Sequence, residues 1–244
     1  MSVTAVLRSE WIKIRSVRAS SGSLLAVFAA TLVITLVVFA TVGRSEVVDG
    51  GDPVFGAFYA LNFAQIAAIA FGTTAVSCEF AGGALRISLS AVPRRGLLYA
   101  AKTAVVAASA LVVGLAAAFA AFFAGQAFLG RYAIGIGEPG ALRACVGGGI
   151  YLALMALLAA GLTFLLRSAI AVLSLLIPFI LIVSFVVGGI AHGAAAYLPD
   201  RAGQQVLHQQ PSGGLAPWTG LAVTAAWAAA ALLAGWWATR RRDI

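Results

Sequence analysis

The stretch GSLLAVFAATLVITLVVFATV, residues 22–42, contains no Asp, Glu, Lys or Arg. At 1.5 Å per residue it forms a helix about 30 Å long, the thickness of a bilayer's hydrocarbon core. It exceeds the roughly 7–15-residue apolar run of a signal peptide. Although Arg8, Lys13, Arg15 and Arg18 precede it, it therefore reads as a retained first membrane span. Five more charge-free blocks follow at about 54–78, 103–130, 144–166, 169–191 and 214–239. Lipid offers the backbone no hydrogen-bond partners, so a spanning segment is a helix or part of a closed barrel, and the alternating polar and apolar pattern of barrel strands is absent. The expected fold class is an all-α integral membrane protein with six transmembrane helices in one domain over residues 1–244. Composition agrees: 62% of residues are hydrophobic and 10% charged, against about a quarter charged in soluble domains.

Orientation follows from the basic residues, because cytoplasmic loops retain Lys and Arg. With the N-terminus inside, Arg44, Arg131, Arg143 and Arg201 lie outside and the other twelve of the 16 basic residues lie inside. Both termini are then cytoplasmic, and the largest cytoplasmic loop, about 79–102, joins the second and third spans. The net charge of +8 is spread between apolar blocks and not gathered on one face as in a nucleic-acid binder. Cys78 falls at the inner end of the second span and Cys145 at the outer end of the fourth, too far apart for a disulfide. The first outer loop carries Glu46, Asp49 and Asp52. The stretch 188–213, interrupted by Gly188, Gly189, Gly193, Pro199 and Pro211, reads as a broken or re-entrant outer segment.

Residues 1–20 read as an interfacial amphipathic helix: Val3, Val6, Leu7, Trp11, Ile14 and Val17 share one arc, with Arg8 and Arg15 opposite. Glu10 is the misfit inside that arc. It either snorkels past a frayed helix or meets a partner. In the second loop, Phe80, Leu85 and Leu89 flank basic residues on a short amphipathic segment ended by Pro93-Arg94-Arg95. Positive-inside bias accounts for the arginines. The apolar residues suggest a docking surface.

These two stretches, Leu7 to Ser16 and Glu79 to Arg95, together with six spans and no external domain, resemble the permease subunits of ABC-2 type exporters. The loop departs from the family pattern where Gly83 is followed by Ala84 instead of Thr. The resemblance implies the membrane-spanning subunit of an ATP-driven exporter in a plasma membrane of bacterial type. It implies a homo- or heterodimer of permeases with separate cytoplasmic ATPase subunits. It further implies that Glu10, Lys13, Arg15, Glu79, Phe80, Arg86, Leu89, Pro93, Arg94 and Arg95 couple this chain to the ATPase. ATP and Mg would belong to that partner.

The residues themselves exclude several chemistries. No Gly-x-x-x-x-Gly-Lys-Ser/Thr phosphate loop is present. Gly135-Ile136-Gly137-Glu138-Pro139-Gly140 matches a dinucleotide fingerprint in letters, but it has no strand before it and reads as a turn. His192 and His208 lack a metal-binding spacing, and no catalytic grouping assembles, so no enzyme activity, cofactor or metal is expected in this chain. The spans hold no acid or base to carry an ion. A non-transporting anchor or scaffold, and an ion-driven carrier, are the alternatives to an exporter. Phe58, Tyr59, Asn62, Gln65, Phe122 and Gln126, with Phe123 beside them, are candidate pathway residues; polar side chains within spans also serve as interhelical glue.

Overall fold

The structure, a computed structural model, describes residues 2–41, 52–81, 84, 88, 90, 92, 94–184, 186–187, 192–209 and 214–241, except for the side chains of Pro53, Phe55 and His192. The described residues are helical and contain no strand. In chain order the helices are α1 (Val3–Ser16), α2 (Arg18–Thr41), α3 (Pro53–Phe58), α4 (Leu61–Ser77), α5 (Arg95–Leu129), α6 (Ala141–Leu166), α7 (Ala169–Pro178), α8 (His192–Ala195), α9 (Pro199–Gln204) and α10 (Pro217–Arg241). Five helical stretches are long and apolar enough to cross a membrane: α2, residues 56–77, the stretch from α5 to Tyr132, α6 and α10. The chain is an all-α membrane protein.

Side-chain chemistry explains where several elements start and how apolar helices tolerate hydroxyls. Ser2 caps α1 by accepting from Ala5 N at 3.3 Å, and Ser168 caps α7 by accepting from Ala171 N at 3.3 Å. Inside α2, Thr31 and Thr35 bond back to Val27 O and Thr31 O, so neither leaves a polar group stranded in hydrocarbon.

Three boundaries differ from those read in the sequence. The third spanning helix begins at Arg95, not near 103, so the loop expected over 79–102 ends at Arg94 and α5 runs 35 residues, about 52 Å. Lys102 ended the apolar block in the sequence, yet stays helical because its ammonium has carboxylate partners inside the protein. The second block splits at Tyr59 and Ala60 into α3 and α4. The fifth is an apolar helix described over Ala169–Val183, whose last five residues, Phe179–Val183, form a π-helical turn after Pro178. Pro178 lacks the N–H that would continue the regular ladder. Within the segment 188–213 the described residues form α8, α9 and a 3-10 turn at Gln205–Leu207; residues 188–191 and 210–213 lie outside the described residues, as do Arg44, Glu46 and Asp49.

Helix direction can be followed through contacts. Ser23 meets Thr74 while Phe39 meets Gly56, so α2 runs antiparallel to the stretch 56–77. Gly72 abuts Ala156 and Gln65 meets Tyr151, so α4 and α6 are parallel. Tyr99 donates to Leu232 O at 2.6 Å and Arg95 to Thr239 O at 3.4 Å, so α5 and α10 are antiparallel. Gly161 abuts Ala231 and Gly235 abuts Phe164, so α6 and α10 are parallel. Parallel α6 and α10 require the intervening chain, 167–216, to return from one end of the bundle to the other. The return segment is anchored by Tyr151, fully buried, which donates to Gln65 Oε1 and accepts from Gln204 Nε2 at 3.3 Å.

α1 packs on the start of α5 through Val6, Val92 and Ala101, beside the end of α10. Both ends of the described chain thus meet at one end of the bundle. Arg8, Lys13, Arg15, Arg18, Arg94, Arg95, Lys102, Arg167, Arg240 and Arg241 gather there, whereas Arg131, Arg143 and Arg201 belong to the connections and helix starts of the other end.

Candidate functional site at the charged end of the bundle

Along α1, Val6, Glu10 and Ile14 are buried at intervals of four, one stripe facing the bundle. Glu10 is 0% exposed. Its misfit in the apolar arc is resolved within the chain. Lys13, one turn on, approaches Glu10 Oε1 at 2.8 Å and Glu79 Oε1 at 3.0 Å. Lys102 of α5, 2% exposed, pairs with Glu10 Oε2 and lies 2.7 Å from Glu79 Oε1. Ser88 donates to Glu79 Oε2 at 3.1 Å and accepts from Lys13 at 3.0 Å. Two acids and two bases balance, as buried charges must. They join four separate segments: α1, the residue pair after α4, the loop at Ser88, and α5.

Electrostatics follow the geometry. Burial by itself would raise the Glu79 carboxyl, but the Lys102 charge and the hydrogen bonds from Lys102 and Lys13 outweigh it and hold the group below the ordinary value. Burial would lower the Lys13 ammonium, and its hydrogen bonds to Glu10 and Glu79 more than reverse this, so it titrates above its ordinary value. Next to the cluster, burial pushes the Cys78 thiol up. A depressed carboxyl contributes stability above the unfolded value near pH 4.3, lost as pH falls through the folded value. A raised ammonium contributes below about pH 10.4, lost as pH rises through its folded value. The contribution of this cluster to stability in detergent should therefore be level from about pH 5 to 9 and fall below about pH 4. Glu79→Gln should lower the plateau and flatten the acid fall; an unchanged acid slope in the variant would show that Glu79 is not paired as described.

The other coupling residues divide between surface and interior. Arg15 and Arg94 are exposed, as are the neighbouring Arg8 and Trp11. Phe80 faces inward, edge-on to Phe164 at 6.3 Å, with Arg167 5.6 Å from its ring. Arg95 reaches α10. Arg86, Leu89 and Pro93 lie outside the described residues. Among the pathway residues, Phe58, Gln65, Phe122 and Gln126 are buried, Phe58 stacking on Phe122 at 6.2 Å and Gln126 accepting from Ile134 N at 2.8 Å. The Gln65 and Gln126 amides thus have hydrogen-bond partners within the chain. Tyr59 is exposed and Asn62 partly so, its amide donating to Tyr59 O at 3.1 Å.

Sequence reading missed Lys102, which was assigned to a loop. The signal was there: Glu10 in an apolar arc demanded a buried cation, and Lys13 and Lys102 are the two lysines of the chain. Cys78 and Cys145 are both free thiols, one just past the end of α4 and the other near the start of the parallel α6. No group of three or more His, Cys, Asp or Glu side chains that could hold a metal occurs among the described residues. His208 lies 3.8 Å from Asp52, with burial lowering the imidazole against the pull of that carboxylate. Comparison with family models, with curated proteins and with solved structures finds no match for this chain.

Proposed function

We propose that the chain is the membrane-spanning permease subunit of an ATP-driven exporter, with six spans, both termini cytoplasmic, and a separate ATPase docked at the charged end. The observation that carries the reading is the ionic cluster. It fastens the amphipathic N-terminal helix and the loop after α4 to the long helix α5, so a push on that surface is delivered to a span as a rigid movement. The uneven distribution of arginines supports placing this end in the cytoplasm. Charges within the spanning helices sit near their ends, which favours mechanical coupling over an ion relay. A partner would not touch Glu10 or Glu79. It would meet the exposed Arg8, Trp11, Arg15 and Arg94 around them, while the buried pairs keep that surface stiff.

The test is to express the chain with an ATPase encoded beside it and to compare wild type with Arg15→Glu/Arg94→Glu. Both positions are exposed, so stability should change by less than about 0.5 kcal/mol. Recovery of the ATPase should fall about tenfold, some 1.4 kcal/mol, if opposed charges meet there. Undiminished recovery and ATP-dependent export would remove this surface from the coupling path. An ATPase that binds but gains no dependence on this chain would indicate a scaffold, and transport driven by an ion gradient without ATP a carrier.

A further inference from the structure

A groove of about 340 Å³ runs between α6, α7 and α10, walled by Leu158 and Leu162, by Leu176 and Phe179, and by Trp227 and Ala230. It lies where the chain leaves regular α-geometry: Phe179 opens the π-helical turn that follows Pro178. α7 packs against α4 and α6, and the groove separates it from α10. Among the described residues every lining side chain is hydrocarbon apart from the indole N–H of Trp227, and that is donated to Tyr197 O at 3.0 Å. An apolar cavity of less than half this size, about 150 Å³, stays dry and takes up hydrocarbon. Leu175 and Trp227 at its mouth are half exposed, so it opens towards lipid.

A basic side chain beside the lining points to the occupant. Pro199, the first residue of α9, belongs to the lining, and Arg201 is two residues further on. Arg201 Nε donates to Ser184 O at 3.0 Å, which fixes the guanidinium against the chain just beyond the π turn. It makes no other hydrogen bond among the described residues, and the side chain is only partly buried. The neighbouring Asp200 is turned inward, accepting from the Ser184 hydroxyl at 2.5 Å; its charge and that of Arg201 attract one another, but the carboxylate is buried whereas Arg201 is partly exposed. A cation held two residues from the lining of an apolar groove in a bilayer matches a phosphate on an acyl chain.

We infer that the groove between α6, α7 and α10 binds one acyl chain of an anionic phospholipid whose phosphate lies at Arg201. The site requires only that the chain sits in a bilayer and does not depend on the exporter reading. The probe is phosphatidylglycerol or phosphatidylcholine brominated in mid-chain, added to delipidated full-length protein in mild detergent. Fluorescence is read in a variant that keeps Trp227 with Trp11, Trp218, Trp236 and Trp237 changed to Phe. Quenching should saturate at a single lipid per chain, with the anionic lipid about fivefold tighter, the effect of one cation beside an anionic headgroup. Arg201→Gln should erase that preference, and Ala230→Phe, which fills the groove, should remove the saturable phase. Quenching that rises without saturation, or that Ala230→Phe leaves unchanged, would mean unselective lipid contact and overturn the site. Equal affinity for both headgroups in the wild type would overturn the role of Arg201. The unfilled protein decides the first question by itself should the filled variant misfold.

Discussion

Lys102→Met is expected to destabilise the protein by about 3–5 kcal/mol, because it leaves two carboxylates buried with one ammonium. Lys102 is the bridge: it is 2% exposed and pairs with both Glu10 and Glu79, whereas Lys13 is 35% exposed and can rotate to water. Met matches the length of the lysine stem, so packing is nearly conserved and the loss reports charge. Combining Lys102→Met with Glu10→Gln restores the balance of one acid to one base. Replacing a buried pair by neutral groups is often close to neutral. The double variant should therefore recover much of the loss, a coupling of about 1.5 kcal/mol or more in a double-mutant cycle. Midpoints of thermal unfolding in detergent, followed by helicity and by monodispersity, give the comparison. Additive losses would mean that the two residues do not share one site.

The cluster also shows which parts of this fold were legible in the sequence. Hydrocarbon tolerates so few side chains and backbone forms that block length alone placed α2, α6 and α10 to within a few residues. The same logic misplaced the start of α5, because a rule that ends a span at the first charge does not foresee a lysine neutralised inside the protein. Ser88 and Glu79 joined the site through a contact with α1, 75 and 66 residues away from Lys13, and no local pattern encodes a pairing of that range. Gln65 is a similar case. Its spacing in an apolar block fits a pathway or glue equally, and its partner Tyr151 lies 86 residues away on another helix, beyond the reach of any local pattern. The split between α3 and α4 left no mark in hydropathy, which reports burial in lipid and is blind to backbone turns.

The close approach of α6 and α10 predicts the second large effect. A Cβ on Gly161 would lie 2.6 Å from both Ala231 C and Leu232 N, and one on Gly235 would lie 2.6 Å from Gly161 O. These are backbone atoms of the facing helix, so no side-chain rotation relieves the clash; one helix has to move. Small residues at such crossings are what let membrane helices approach, in the absence of a hydrophobic drive between them. Gly161→Ala should cost about 1–3 kcal/mol by overpacking, and Gly161→Val more. The displacement should also strain the bond from Tyr99 to Leu232 O, which spans the same crossing from α5. Gly22 provides the control. It lies in α2 with nothing within 4 Å of its added Cβ, so Gly22→Ala should gain up to about 1 kcal/mol from the lower backbone entropy of alanine. The same change of one hydrogen to one methyl is thus expected to differ in sign between the two helices. Measuring both unfolding midpoints in one detergent checks it, and a Gly161→Ala protein as stable as Gly22→Ala would mean that α6 and α10 are not in backbone contact.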